Sequence, residues 1–134
     1  MSTQKNMAGN YFHEKKKKRD RLTGHVTVPG TPVTLVGQYY NNQTPTPVAG
    51  PFIAETIWIC NGETVCAYAQ IFDGVTPLTC RILLAPGTAC QVTVANPVAP
   101  NFLHLDKIWM PFFTAVNFDA SSVNVVCTVG GWIP

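Results

Sequence analysis

The chain is short of charge, and the charge it has is unevenly placed. Only 12% of its 134 residues are Asp, Glu, Lys or Arg, about half the 25% of an ordinary soluble domain. Past residue 24 the only bases are Arg81 and Lys107, set against Glu55, Glu63, Asp73, Asp106 and Asp119, a net of −3. So few surface charges on a body that is 46% hydrophobic favour a component of an assembly, its surface covered by neighbours, over a free monomer.

Other absences narrow the field further. No uninterrupted apolar run reaches the roughly 18 residues of a membrane-spanning helix. The N-terminus has no greasy core of a secretory signal, and Ser2 stands where myristoylation needs glycine; no membrane partner is expected. The five cysteines, Cys60, Cys66, Cys80, Cys90 and Cys127, are odd in number and contain no CxxC pair. They lie among Val, Ile and Ala, and are expected to be reduced packing residues, not zinc ligands or disulfides.

Catalytic groupings are missing too. Histidines occur at 13, 25 and 104 only. His104 and Asp106 would share a strand face as a His-x-Asp pair, yet no Ser or Cys in an exposed Gly-flanked turn stands out as a nucleophile for them. The five body carboxylates are scattered singly over turns and strand ends. There is no Gly-rich phosphate loop and no metal-ligand spacing. The expectation is a protein that is not an enzyme and uses no cofactor. Trp58, Tyr68, Trp109, Phe112, Phe113, Phe118 and Trp132 could form a stacking platform for bases or sugars, but no lysine or arginine is interleaved with them in the sequence. Core or interface is the expected role.

What the body does contain is strands. "HVTVPGTPVTLVG" gives short runs at Val26–Val28 and Val33–Val36 around a Pro-Gly turn, and the Asn- and Pro-rich stretch after it reads as a long loop. "FIAETIWIC" and "TVCAYAQIF" are strands joined at "NGE", where Asn-Gly favours a tight hairpin. "LTCRILL", "ACQVTVA", the Pro111-interrupted "HLDKIWMPFFTAVNF" and "SVNVVCTVGGW" follow between further turns. Seven to eight short strands with no convincing helix predict an all-β, antiparallel β-sandwich, jelly-roll or Ig-like, over residues 25–134. Period-2 patterning puts Ile57, Ile59, Val65, Ala67, Ala69, Val92, Val123, Val125 and Val129 mainly inside.

Residues 1–24 differ from this body. Seven bases against Glu14 and Asp20 give +5 in this leader, concentrated in "HEKKKKRDR". It has no apolar periodicity and reads as an extended basic arm that orders on a partner. Tyr11, Phe12, Lys15, Lys16, Lys17, Lys18, Arg19, Arg21 and Leu22 are its expected partner-binding residues: bases for acidic side chains, rings and leucine for apolar notches. Glu14 and Asp20 would repel phosphates and pair with a neighbour's bases, which tilts the expected partner towards protein and away from nucleic acid.

"ETIWICNGETVCAYAQIFDG", "LLAPGTA", "LDKIWMPFF" and "SVNVVCTVGGW" together resemble the order of turns and strands in small β-sandwich modules of tailed-bacteriophage virions. The resemblance covers roughly residues 52–132, and the chain departs from it in its five cysteines and the bulky "WMPFF". It implies a virion structural protein, expected in the host cytoplasm before assembly. The foremost reading is a capsid decoration or cement protein, oligomeric and bound to the major capsid or another virion protein. The alternatives are a small jelly-roll capsid subunit whose arm binds the packaged genome, a collar or tail-fibre module, and a carbohydrate-binding module.

Overall fold

The computed structural model describes residues 18–37, 46–48, 50–87 and 101–134. These residues form an all-β sandwich of two antiparallel sheets with no helix among them. The frame of the larger sheet is two long strands, β5 (Phe52–Asn61) and β12 (Val125–Ile133), paired from Asn61↔Val125 to Ile53↔Trp132. Their alternation is what the sequence asked of them: Ile57, Ile59, Val125, Cys127 and Val129 point inward and are fully buried.

The other side of β12 is taken by β1 (Lys18–Gly24), in seven-residue register from Lys18↔Ile133 to Gly24↔Cys127. This corrects the reading of residues 1–24 as an arm: from Lys18 onward the leader is a strand inside the sheet. β1 also pairs with β3 (Val36–Gly37), and β3 with β4 (Thr46–Pro47). Leu22 is fully buried in the chain's own core, so it cannot fill a notch on a neighbour. Asp20 is buried as well, packed where a Cβ on Gly37 would overlap its carboxylate. It is therefore not held out for a neighbour's base. The reason is period-2 geometry: in "RDRL", Arg19 and Arg21 take one face of the strand, and Asp20 and Leu22 the other.

The far edge of β5 is shared end to end by two short strands, β9 (Phe102–Leu105) and β10 (Met110–Phe112). Pro111 sits in β10, an edge strand, where its missing N–H breaks no inner ladder. Opposite Gly130 and Gly131 stand Thr56 and Ala54, so Glu55 is the extra residue of a β-bulge. The bulge frees the Glu55 carbonyl to accept the Ile108 N–H at 3.1 Å. Gly131 is required beside it, because a Cβ there would land on the Ile53 carbonyl.

The smaller sheet runs β2 (Val33–Thr34), β11 (Val116–Ala120), β6 (Ala67–Asp73), with β7 (Thr76–Pro77) and β8 (Ile82–Leu84) sharing the outer edge of β6. Between the sheets lie Leu22, Leu35, Phe52, Ile57, Ile71, Phe112, Phe118 and Val129 among others. Leu35, fully buried between β2 and β3, marks where the chain steps from one sheet to the other. The described residues alone form twelve strand segments, where seven to eight are expected of the whole body. The excess comes from two-residue ladders and from edges shared by consecutive pieces.

Two local expectations fail for one reason. "NGE" is not a hairpin: β5 and β6 belong to different sheets, and the segment between them crosses the sandwich. Asn61 builds that crossing. Its amide nitrogen donates to the Val65 and Ala85 carbonyls at 3.0 and 2.8 Å, and its side-chain oxygen accepts the Glu63 N–H at 2.9 Å. Val65 and Val123 lie in the connections and are 62% and 40% exposed, outside the core assigned to them. Ile57, Ile59, Ala67, Ala69, Val125 and Val129 are buried as expected; Val92 lies outside the described residues. The segment Val26–Val28 is no strand either, though Pro29 and Gly30 do turn there. Thr31 N–H bonds to the Val28 carbonyl at 3.0 Å, with φ of 87° at Gly30, as a type II turn requires. At "DGVT", Gly74 takes a φ of 60° in the two-residue link between β6 and β7.

Candidate functional site

The outer face of the larger sheet carries the densest grouping of chemically useful side chains. Its rows follow from the register. Thr23, Thr128, Trp58 and His104 lie side by side on β1, β12, β5 and β9. Arg21, Gly130 and Thr56 form the next row, and Val126, Cys60 and Phe102 the row on the other side. Gly130 contributes no side chain, so a shallow groove of about 350 Å³ opens over it, lined by Arg21, Thr56, Trp58, His104, Thr128 and Gly130. A Cβ on Gly130 would meet the Thr56 hydroxyl at 2.6 Å.

Three rings meet in this face. Trp58 stacks with Phe102, centroids 5.9 Å apart and planes within 16°, and lies 4.5 Å from His104 at a tilt of 41°. The indole N–H donates to Cys60 Sγ at 2.8 Å, which fixes the ring along the strand. Trp58 and Phe102 are nevertheless 45% and 44% exposed. Thr23 and Thr128 hydroxyls lie 3.2 Å apart, and Thr23 also donates to the Cys127 carbonyl at 3.2 Å. Beside the groove, Arg19 and the bulged Glu55 form an ion pair at 2.7 Å.

The residues expected to bind a partner divide into two groups. Tyr11, Phe12, Lys15, Lys16 and Lys17 lie outside the described residues, and Lys18 opens β1. Arg19 and Arg21 are exposed on the sheet face just described, and Leu22 belongs to the core. The structure thus sets Arg21 on one groove with Trp58, 37 residues away in sequence, an interleaving invisible along the chain. A second case lies on the other sheet, where the Arg81 guanidinium sits 4.5 Å over the Tyr68 ring. Tyr68 and Trp58 are consequently on different sheets, not across a hairpin.

The His-x-Asp spacing does not make a working pair. β9 ends at Leu105, and the Asp106 carboxylate accepts the Lys107 N–H at 2.9 Å in the following turn. Among the described residues no three His, Cys, Asp or Glu side chains gather as a metal site would need. Cys127 is buried in the core, where burial raises its thiol pKa and keeps it protonated. Cys60 is half-buried, whereas Cys66 and Cys80 are exposed and free, not the packing residues expected of them.

Two carboxylates outside the groove hold loops in place. Partial burial of Asp73 would raise its pKa, but N–H donors from Phe113, Thr114 and Ala115, at 2.8 to 3.2 Å, outweigh it and hold the carboxyl below its ordinary value. Glu63 is held low chiefly by the Ser122 hydroxyl at 2.6 Å, with help from Asn124. Comparison with protein-family models, with curated proteins and with solved structures finds no match to this chain.

Proposed function

We propose that this chain is a structural subunit of a virus particle, most simply a decoration or cement protein that packs against shell proteins and its own copies. The supporting observation is the apolar surface left on a body so poor in charge. Val75, Phe113, Trp109 and Leu83 are 93%, 70%, 69% and 62% exposed. Val75 and Phe113 are brought to one end of the sandwich, because the Asp73 carboxylate ties the Phe113–Ala115 backbone to the turn that carries Val75. Large side chains in that state are what an interface core uses.

A second reading, a capsid subunit whose leader meets the packaged genome, gains from the path of β1. Asp20 turns inward while Arg19 and Arg21 turn out, so an anion approaching this face meets the bases without the acid between them. Light scattering and electron microscopy of the purified chain test the assembly reading. Growth to oligomers with concentration, blocked by Phe113→Asp and Trp109→Asp, is the expected result. A chain that stays monomeric at every concentration and ignores both substitutions would refute it.

A further inference from the structure

We infer that the outer face of the larger sheet is a platform for single-stranded nucleic acid, with Trp58, Phe102 and His104 taking unstacked bases and Arg21 taking a phosphate. The inference stands whether or not the chain belongs to a virus particle. It rests on the juxtaposition that the register creates. A sheet face with exposed rings carries Trp58 against two others, Phe102 at 5.9 Å and His104 at 4.5 Å. Both neighbours reach the indole from β9, and Trp58 and Thr128 open on the groove towards Arg21. Two strand spacings, roughly 10 Å, separate the arginine strand from the tryptophan strand. With the arginine side chain extended, a base and the phosphate beside it span that distance.

The charge points the same way. Arg19 and Arg21 lie on this face, and the lysine run Lys15–Lys18 leads straight into the strand that bears them. In the sequence, seven of the nine bases of the chain lie at or before Arg21. Glu55, at the rim, is ion-paired with Arg19, so these two charges offset each other and Arg21 is the base the face offers to a phosphate. Rings supply sequence-tolerant stacking, and bases supply the salt-dependent attraction, which is the combination single strands need. A duplex keeps its bases stacked on each other and shows only their edges, so it cannot use the rings. A sugar ligand could stack on Trp58, but it gives no role to the lysine run that feeds the arginine strand.

The test measures binding of labelled oligothymidylate and oligouridylate to the full chain by fluorescence anisotropy across a salt series. Trp58→Ala is expected to weaken binding by roughly 5- to 150-fold, the range for losing one stacking ring, while Trp58→Phe retains most of it. Arg21→Gln should weaken binding and lower the salt slope by about one, and a duplex of equal length should bind less tightly. Circular dichroism checks that each variant is folded; if Trp58→Ala is not, His104→Ala takes its place. Substituting Lys15, Lys16, Lys17 and Lys18 by Gln should reduce the salt slope yet leave the Trp58 dependence intact. The inference fails if the ring and Arg21 variants bind like the native chain while the lysine variant loses all binding. It also fails if duplex and single strand bind alike, or if a polyuronate shows the Trp58 dependence and oligonucleotides do not bind.

Discussion

Substituting Leu22 by Ala separates two pictures of the leader. Were residues 18–24 an arm, a shortened side chain at 22 would leave the stability of the sandwich untouched. In the structure Leu22 is fully buried on a strand that is hydrogen-bonded on both sides, to Val129 of β12 and Gly37 of β3. A strand held by ladders on both edges cannot sink into the space left behind, so most of the cavity persists. Leucine-to-alanine changes in such settings cost about 3–5 kcal/mol through lost transfer energy and the cavity together, a large share of the roughly 5–15 kcal/mol that keeps a domain folded. With a urea dependence of about 1–3 kcal/mol per molar, the unfolding midpoint should fall by at least about 1 M. The matched control is Arg19→Ala on the same strand. It breaks an ion pair whose side chains are 64% and 35% exposed, and exposed pairs are worth about 0–1 kcal/mol. Urea titrations followed by tryptophan fluorescence read both variants. A Leu22→Ala midpoint within the error of Arg19→Ala would refute the placement of β1 in the core.

Asn61→Ala should cost about 2–4 kcal/mol in the same assay, because it leaves the buried Ala85 carbonyl and two further backbone groups without their partner; a loss below about 0.5 kcal/mol, the usual scale of a surface change, would count against its role in the crossing. Asp73 and Glu63 both have folded-state pKa values below their ordinary ones. Each therefore adds stability that is fully present above the ordinary carboxylate range and is lost as pH falls through the depressed value. Unfolding midpoints measured from neutral pH downwards should decline below about pH 4, and the decline should be shallower in Asp73→Asn. A native chain whose midpoint rises on acidification would contradict the sign.

The two-sheet architecture was legible because its signals are local. Alternation in "TIWIC", "AYAQIF" and "VVCTVGG" states which residues face inward; β6 and β12 obey it closely, and β5 does so from Thr56 onward, past the bulge. What the chain did not show was which strands become neighbours. Asn-Gly looks the same in a two-residue hairpin and in a crossing between sheets; the choice is made by the Ala85 carbonyl and the Glu63 N–H that Asn61 meets in the folded state. Val65 is exposed because it lies in that β5–β6 crossing, and Val123 because it lies in the link between β11 and β12, which also belong to different sheets. The strand at Lys18–Gly24 is hard to read in the sequence for a related reason. "KRDRL" has the composition of a solvated tail, and its alternation of arginine outside with Asp20 and Leu22 inside becomes meaningful only beside β12 and β3.

The candidate site was hidden by the same non-local step. Along the sequence, Trp58 and Phe102 have no base near them, and the bases of the leader have no described ring near them. Pairing brings the two sets onto one face through three strands, β1, β12 and β5, whose contacts span more than a hundred residues of chain between Thr23 and Thr128. The face stays open because β12 supplies small side chains at its middle, Thr128 and Gly130, between the arginine row and the rings. Gly130 thereby has two roles. It gives the Thr56 hydroxyl its room, and it leaves the floor of the groove uncovered so that Arg21 and Trp58 can act on one ligand. A larger residue there would first collide with Thr56 and then fill the groove. Sequence composition therefore carried the ingredients of the site, and only the register of four strands turned them into a surface.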